Sequence, residues 1–319
     1  MLVSAGNGVQ VTSGASTLFL DPKRATADSV VTHAHADHLM PDAHMTPPTL
    51  GFLKVRKPTR TGTALAYGRE IDVAGMRVRL HDAGHVFGSA MVEVTTSEES
   101  LLYTGDFNTR AGFTTAAARP ISCDVLVTES TYGDPRFDLP PKDLVLASLE
   151  AWTLRRLLQG PVALGAYPLG RAQELVCLAN RAGLVPIVSP DIAELTAVYN
   201  AHGHDLRYAV SGSERARTLD GGRALHIVPR EWLKKDHAFA RGHTARGGQA
   251  AYLSGWCHRY SYFDKYAIDA QFALSDHAGF SDLVEFVLAC DPTRVFTMHG
   301  SAARLAKELR SRGVNAEPL

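Results

Sequence analysis

SVVTHAHADH, residues 29–38, is the stretch on which the reading of this chain turns. A short β-type run, Ser29 to Thr32, leads directly into His33-Ala34-His35-Ala36-Asp37-His38. Three imidazoles and a carboxylate therefore crowd the turn that leaves a strand. Alternation on such a turn splays side chains toward two centres, which suits a pair of metal ions. Imidazole with a minority of carboxylate and no thiolate favours two Zn2+ ions, with Mn2+ or Fe as fallback occupants. The plainer alternative is a solvated histidine-rich turn, but four ligand-type side chains rarely crowd together without a task. Two more such residues stand at strand ends beside glycine: His85 in AGHVFGSA and Asp106 in YTGDFN. Glycine at those places lets backbone approach an ion closely.

Outward from this stretch, the runs TLFLDP, MRVRLHDAGH, SAMVEVTT, SLLYTGD and CDVLVTES read as short strands punctuated by Gly, Pro and Asp. Several end directly in His, Asp or Glu, so polar groups gather at strand tips held by a rigid sheet. Near residue 145 the pattern changes to helical spacing in DLVLASLEAWTLRRLL, then to strand, glycine turn and helix in PVALGAYPLGRAQEL. VPIVSP and ALHIVPR continue an alternating β and α rhythm. After ARGHTARGGQ the strand-and-histidine pattern returns in AYLSGW, AQFALSDHAGF and RVFTMHG, and AARLAKELRSRG reads as a last helix. The expected class is α/β, one domain split by an insert: residues 1–145 and 249–319 form the outer domain and 146–248 the βαβ-type insert.

Length and composition agree. A chain of 319 residues, 45% hydrophobic and 21% charged, has a sizeable core and no disordered or fibrous character. Its first residues lack a basic region followed by an apolar run, so a cytoplasmic protein without a signal peptide or membrane association is expected. Net charge is zero, which excludes bulk electrostatic attraction to a polyanion and leaves a local basic groove as the electrostatic route. Cys123, Cys177, Cys257 and Cys290 lie far apart with no CxxC pair, so neither a disulfide framework nor a thiolate zinc site is expected.

HAHADH, with His85 and Asp106 at their strand ends, resembles the metallo-β-lactamase superfamily. VTESTYG, SDHAGF and VFTMHG resemble the three added motifs of its β-CASP nucleases, and GAYPLGRAQEL resembles their insert motif. The likeness runs from FLDP to the last helix and is nearest to the compact bacterial and archaeal members, including exonucleases found beside DNA ligases and proteins similar to mRNA 3′-end processing factors. It implies an αββα metallo-β-lactamase sandwich carrying an inserted β-CASP domain. Carried over residue by residue, it makes His33, His35 and His85 ligands of one metal. Asp37, His38 and His299 become ligands of the other, with Asp106 bridging. Asp21, in FLDP, becomes the aspartate that supports the first metal-binding histidines from outside the ligand set. His277 becomes the general acid, and Glu129 fixes its tautomer and raises its pKa. Asp37 and Asp106 join these two as the catalytic carboxylates.

Gly170-Arg171 reads as a helix start following a strand, where backbone N–H groups and a guanidinium converge on a phosphate, although a surface arginine at a plain turn fits the segment nearly as well. Trp256, His258, Arg259, Tyr260, Tyr262, Lys265 and Tyr266 interleave rings and cations as a base-stacking, phosphate-tracking surface does, or as a core segment does. The function expected is a two-zinc nuclease, most simply an exonuclease, acting on single-stranded DNA or RNA and associated with a DNA ligase or other repair and processing machinery. A small-molecule hydrolase of the same fold and a non-catalytic nucleic-acid scaffold are the competing classes.

Overall fold

The computed structural model describes residues 1–319, which separate into two compact units, 1–138 with 277–319 and 139–276. In the first unit the opening hairpin, Leu2–Gly6 and Gly8–Ser13, pairs antiparallel and is followed by Ser16–Leu20, Ser29–Val30, His44–Met45 and Thr63–Ala64 in a six-stranded sheet. The second sheet has seven strands in the order Ala316–Pro318, Arg294–Met298, Val125–Glu129, Ser100–Tyr103, Ala90–Thr95, Met76–Asp82, Glu70–Val73.

Side chains alternate faces along a strand, and this alternation builds the core. Val9, Val11, Leu18 and Leu20 of the first sheet meet Val78, Leu80, Val92, Val94, Leu101, Val125 and Val127 of the second. The other face of the second sheet, through Leu102, Leu126 and Val295, packs on helices Phe280–Cys290 and Ala302–Arg310. Val125–Glu129 is buried at every position, which explains its unbroken apolar reading.

Strand direction then decides where the polar tips go. Ser100–Tyr103, Val125–Glu129 and Arg294–Met298 are parallel neighbours, so Asp106, Glu129 and His299 leave one edge of the sheet together. Met76–Asp82 runs the same way, being separated from Ser100–Tyr103 by one antiparallel strand, and delivers His85 to that edge. In the first sheet Ser16–Leu20 and Ser29–Val30 are likewise parallel and release Asp21 and the histidine turn side by side. Two glycines are required by contact: a Cβ on Gly105 (φ 51°) would lie 2.8 Å from the Thr32 side chain, and one on Gly84 (φ 68°) 2.3 Å from the Asn108 carbonyl.

The second unit holds a six-stranded, all-parallel sheet ordered Ala209–Val210, Ile187–Val188, Leu225–Pro229, Val162–Ala166, Gln249–Leu253, Ala270–Phe272. Helices such as Arg171–Arg181 and Pro190–Ala201 join its strands, as parallel pairing demands. The boundaries differ from the expected 146–248. Gln249–Leu253 pairs with Val162–Ala166, so 249–276 belongs to this unit, which begins at Leu139 before helix Lys142–Leu157. A short apolar run such as AYLSGW has the same periodicity in either sheet, and only its pairing partner assigns it. No helix is long and apolar enough to cross a membrane.

Candidate metal centre

The histidine turn closes on itself, His38 N and Leu39 N both donating to the His35 carbonyl, at 3.1 and 2.8 Å. This sets the His35 and His38 rings against that of His33, with centroids 4.9 and 4.2 Å away. His33 Nε2 lies 3.2 Å from His35 Nδ1, and His85 Nε2 lies 3.0 Å from the same atom. One Asp106 oxygen, Oδ2, stands 3.5 Å from His33 Nε2, 3.7 Å from His85 Nε2 and 3.9 Å from His38 Nε2. Donor atoms of His33, His35, His85 and Asp106 all fall within 4.8 Å of one another, and all four residues belong to the first unit.

Proton placement tests whether this set fits a cation. Thr32 Oγ1 donates to Asp21 Oδ2 at 2.7 Å, so its lone pair faces His33 Nδ1, 3.0 Å away, and that nitrogen carries the hydrogen. His33 Nε2 is thereby left as a lone pair aimed into the cluster. Likewise His38 Nδ1 donates to Asp21 Oδ2 at 2.9 Å, which turns Nε2 toward Asp106. Burial first, and the neighbouring imidazoles after it, hold His33 far below the usual histidine range, so it is neutral as a ligand must be. Ligands bonded tetrahedrally at about 2.1 Å stand about 3.4 Å apart. The observed N···N and N···O spacings bracket that value, and the donor set fits a cation.

Asp21 is the keystone. Its buried carboxylate accepts from Thr32 N and Thr32 Oγ1, both at 2.7 Å, and from Tyr103 OH and His38 Nδ1, both at 2.9 Å. Burial alone would raise its pKa, and the His38 charge and these hydrogen bonds reverse the sign. The reciprocal effect lifts His38 to about 10, against burial that would lower it. The sequence reading has Asp21 support the first metal-binding histidines, those of the 33–38 turn. In the structure it holds His38 directly and reaches His33 only through Thr32.

His277 Nδ1 sits 2.9 and 3.2 Å from the two Glu129 oxygens, and its ring centre is 4.5 Å from that of His85. Glu129 is fully enclosed and also accepts from Phe107 N and Thr131 N. Burial works to raise its pKa, but His277 and those N–H groups hold the carboxyl well below its usual range. The pair thus keeps a proton on His277 Nδ1. Asp37 and His299 stand at the rim, outside the tight donor sets. Asp37 is 80% exposed, 3.8 Å from His38 Nε2, and the His299 ring centre is 5.8 Å from that of His38. His299 sits at φ 61° because Gly300 packs on Ser130 and Ser130 Oγ donates to the Met298 and His299 carbonyls. Beside His38 and His299 a cavity of about 230 Å3 opens, with Gly6, Lys23, Asp37 and Met298 in its wall.

The expected nucleic-acid contacts fare differently. Arg171 does not project from the surface: its side chain is 9% exposed, and its guanidinium pairs with Asp276 at 3.0 Å and with the Leu253 carbonyl at 3.3 Å, all within the second unit. Gly170 (φ 93°) donates its N–H to Gln173 Oε1 at 2.8 Å, so that group caps its own helix. The 256–266 segment divides. Tyr266 packs on Tyr252 inside the core and half-buried Tyr262 packs against it, while Arg259 and Tyr260 are exposed and Trp256 half-buried. Thr32, Tyr103 and Ser130 were not singled out in the sequence. Thr32 alone left a signal, by standing directly before His33.

No protein-family model matches the chain. It is 33% identical over 304 residues to a probable DNA ligase of Opitutus terrae, a match covering 93% of this chain and 29% of the ligase. An uncharacterized protein in the lig 3′ region of Acidianus ambivalens is 34% identical over 142 residues, 98% of that protein and 44% of this chain. RNase aCSPSF2 of Saccharolobus solfataricus is 26% identical over 220 residues, which cover 63% of this chain and 42% of that one. The chain therefore spans well under half of the ligase and of that RNase. A crystal structure of a protein of unknown function from Enterococcus faecalis V583 shares the fold at a TM-score of 0.63 and 14% identity, over 91% of this chain and 78% of that one.

Proposed function

The chain belongs to the β-CASP family of metallo-β-lactamase-type nucleases, and from that premise we propose that it is a two-metal nuclease hydrolysing phosphodiester bonds of single-stranded nucleic acid, as an exonuclease. On this reading the first unit is the metallo-β-lactamase sandwich and the second the β-CASP insert. The observation that carries the proposal is the convergence of donor atoms of His33, His35, His85 and Asp106 on one point. These four would hold one zinc ion, and His38, Asp37 and His299 the other, with Asp106 shared. Ions bound there would supply Lewis acidity, activating water near neutral pH and offsetting phosphate charge.

The protein's own groups do the rest. Glu129 anchors Nδ1 of His277, so Nε2 is the atom that delivers a proton to the departing oxygen. Asp21 and Thr32 fix the tautomers of His38 and His33, which keeps both rings oriented before substrate arrives. The ligase relative matches nearly the whole chain, which favours a DNA strand, a cytoplasmic setting and association with a ligase. Exposed Arg259 and half-buried Trp256 are the remaining candidates for contact with the strand.

A time course on matched DNA and RNA oligonucleotides labelled at either end tests the reading and reports substrate, polarity and mode together. The wild-type protein, loaded with zinc, should shorten one of them progressively from one end. Asp106→Asn should lose cleavage by several orders of magnitude while still binding the strand. Undiminished cleavage by that variant would refute the two-metal assignment.

A further inference from the structure

The metal centre leaves the most one-sided run of charge in the first unit without a task. Between Asp42 and Glu70 the chain carries Lys54, Arg56, Lys57, Arg60 and Arg69 and no acidic side chain, in a protein of zero net charge. Four of these cations follow one another through the end of helix Pro47–Arg56 and the turn after it. Lys57 N bonds to the Leu53 carbonyl and Arg60 N to the Lys57 carbonyl at 2.9 Å, which keeps the cluster compact. Lys54 and Arg60 are exposed, and of the acids that flank the run in sequence Glu70 pairs with Arg79 and Asp42 accepts from Thr61 Oγ1. A basic last turn does favour the helix dipole. That effect fades within a turn and does not account for cations continuing to Arg60.

Anchoring places the cluster beside the chemistry. Thr46 and Thr49 hydroxyls, at the start of the helix, both donate to the Gly88 carbonyl, at 2.6 and 3.0 Å, in the loop that carries His85. At its far end Lys57 Nζ donates to the carbonyl of Leu39, the residue after His38, at 2.9 Å. The helix is thus tied to two of the loops that form the metal centre. We infer that Lys54 and Arg60, on a segment held in place by Lys57, form a rail that binds the sugar–phosphate backbone of the strand whose scissile bond lies at the metal centre. This rests on the nuclease reading. A neutral protein has no monopole to draw in a polyanion, so attraction must come from such a local cluster, acting by release of counterions from the strand.

The test is fluorescence anisotropy with a fluorescein-labelled, phosphorothioate oligothymidylate, and an oligouridylate in a parallel arm, between about 50 and about 200 mM salt. Each phosphate contact to a single strand contributes about 0.7 to the slope of log affinity against log salt. The double variant Lys54→Gln with Arg60→Gln should therefore flatten the slope by about 1.4 and bind roughly ten-fold more weakly at the low-salt end. The charge-conserving pair Lys54→Arg with Arg60→Lys should restore both. Wild-type slope and affinity in the double variant overturn the rail. Wild-type turnover of bis(p-nitrophenyl) phosphate, measured alongside, depends on the metal centre alone. Its absence would count against the nuclease reading, and its presence with an unchanged slope against the rail only.

Discussion

Asp21 adopts φ 46°, a conformation that costs a non-glycine residue energy and persists only where surrounding contacts enforce it. Four hydrogen bonds enforce it here, and they turn a two-residue Asp-Pro corner into the support for His38. Removing the carboxylate frees the His38 ring to change tautomer and leaves Tyr103 OH, buried and fully enclosed, without its acceptor. Asp21→Ala should weaken binding of one of the two proposed zinc equivalents by roughly 10- to 100-fold, the usual effect of losing a partner that orients a ligand. Its grip on the other, held mainly by His33, His35 and His85, should change less. Competition against a calibrated zinc chelator measures both, and a variant that titrates like wild type removes Asp21 from the site. His226 is a second buried residue with a direction worth testing. Burial first, and then His243 and Arg246, lower it to about 4 despite the nearby Asp220. Folding therefore favours its neutral form. The stability this gives is complete above the unfolded value near 6.5 and is lost as pH falls from there through about 4, by up to about 3 kcal/mol. Metal-free wild type should lose stability over that window more steeply than His226→Phe, and parallel melting curves would contradict this.

At the level of elements, the strands that lead to the proposed site residues were legible because each joins apolar or β-branched residues to a polar terminus: SLLYTGD, CDVLVTES and RVFTMHG all form strands where the sequence puts them. The opening hairpin, Leu2–Gly6 with Gly8–Ser13, was not singled out, since its strands mix small, polar and apolar residues and only the Gly-Asn-Gly turn marks it. The partner of Arg171 is not legible in the sequence for a related reason. A strand, a glycine and an arginine opening a helix look alike whether the guanidinium meets a phosphate or a carboxylate, and the carboxylate lies at residue 276. Its commitment to Asp276 makes a stability prediction. Arg171→Met leaves a buried carboxylate deprived of its guanidinium and should cost about 3 to 5 kcal/mol, whereas Arg171→Met with Asp276→Leu should recover most of that loss. Chemical denaturation of the single and double variants checks it. A single variant of wild-type stability that binds oligonucleotide poorly would return Arg171 to the clamp role.

For the whole molecule, the division into two units has a consequence for metal removal. Every proposed ligand, together with Asp21, Glu129 and His277, belongs to residues 1–138 or 277–319, although the chain spends 139–276 in a separate sheet before returning. The sequence shows that separation as a change of rhythm near 145 but not its exit, because Gln249–Leu253 reads alike in either sheet. An ion bound only to the folded first unit stabilises it by about 2.7 kcal/mol at a free concentration about a hundred times its dissociation constant. It adds nothing directly to the second. Two compact units in one chain need not open in a single step. Chelation should therefore speed native-state hydrogen exchange in Ser100–Tyr103 and Val125–Glu129, whose ends carry Asp106 and Glu129, and leave Val162–Ala166 and Leu225–Pro229 close to their zinc-loaded rates. Equal acceleration in both sets of strands would mean that the ions stabilise the chain as one cooperative body, and no acceleration in either would mean that they are not held where His33, His35, His85 and Asp106 converge.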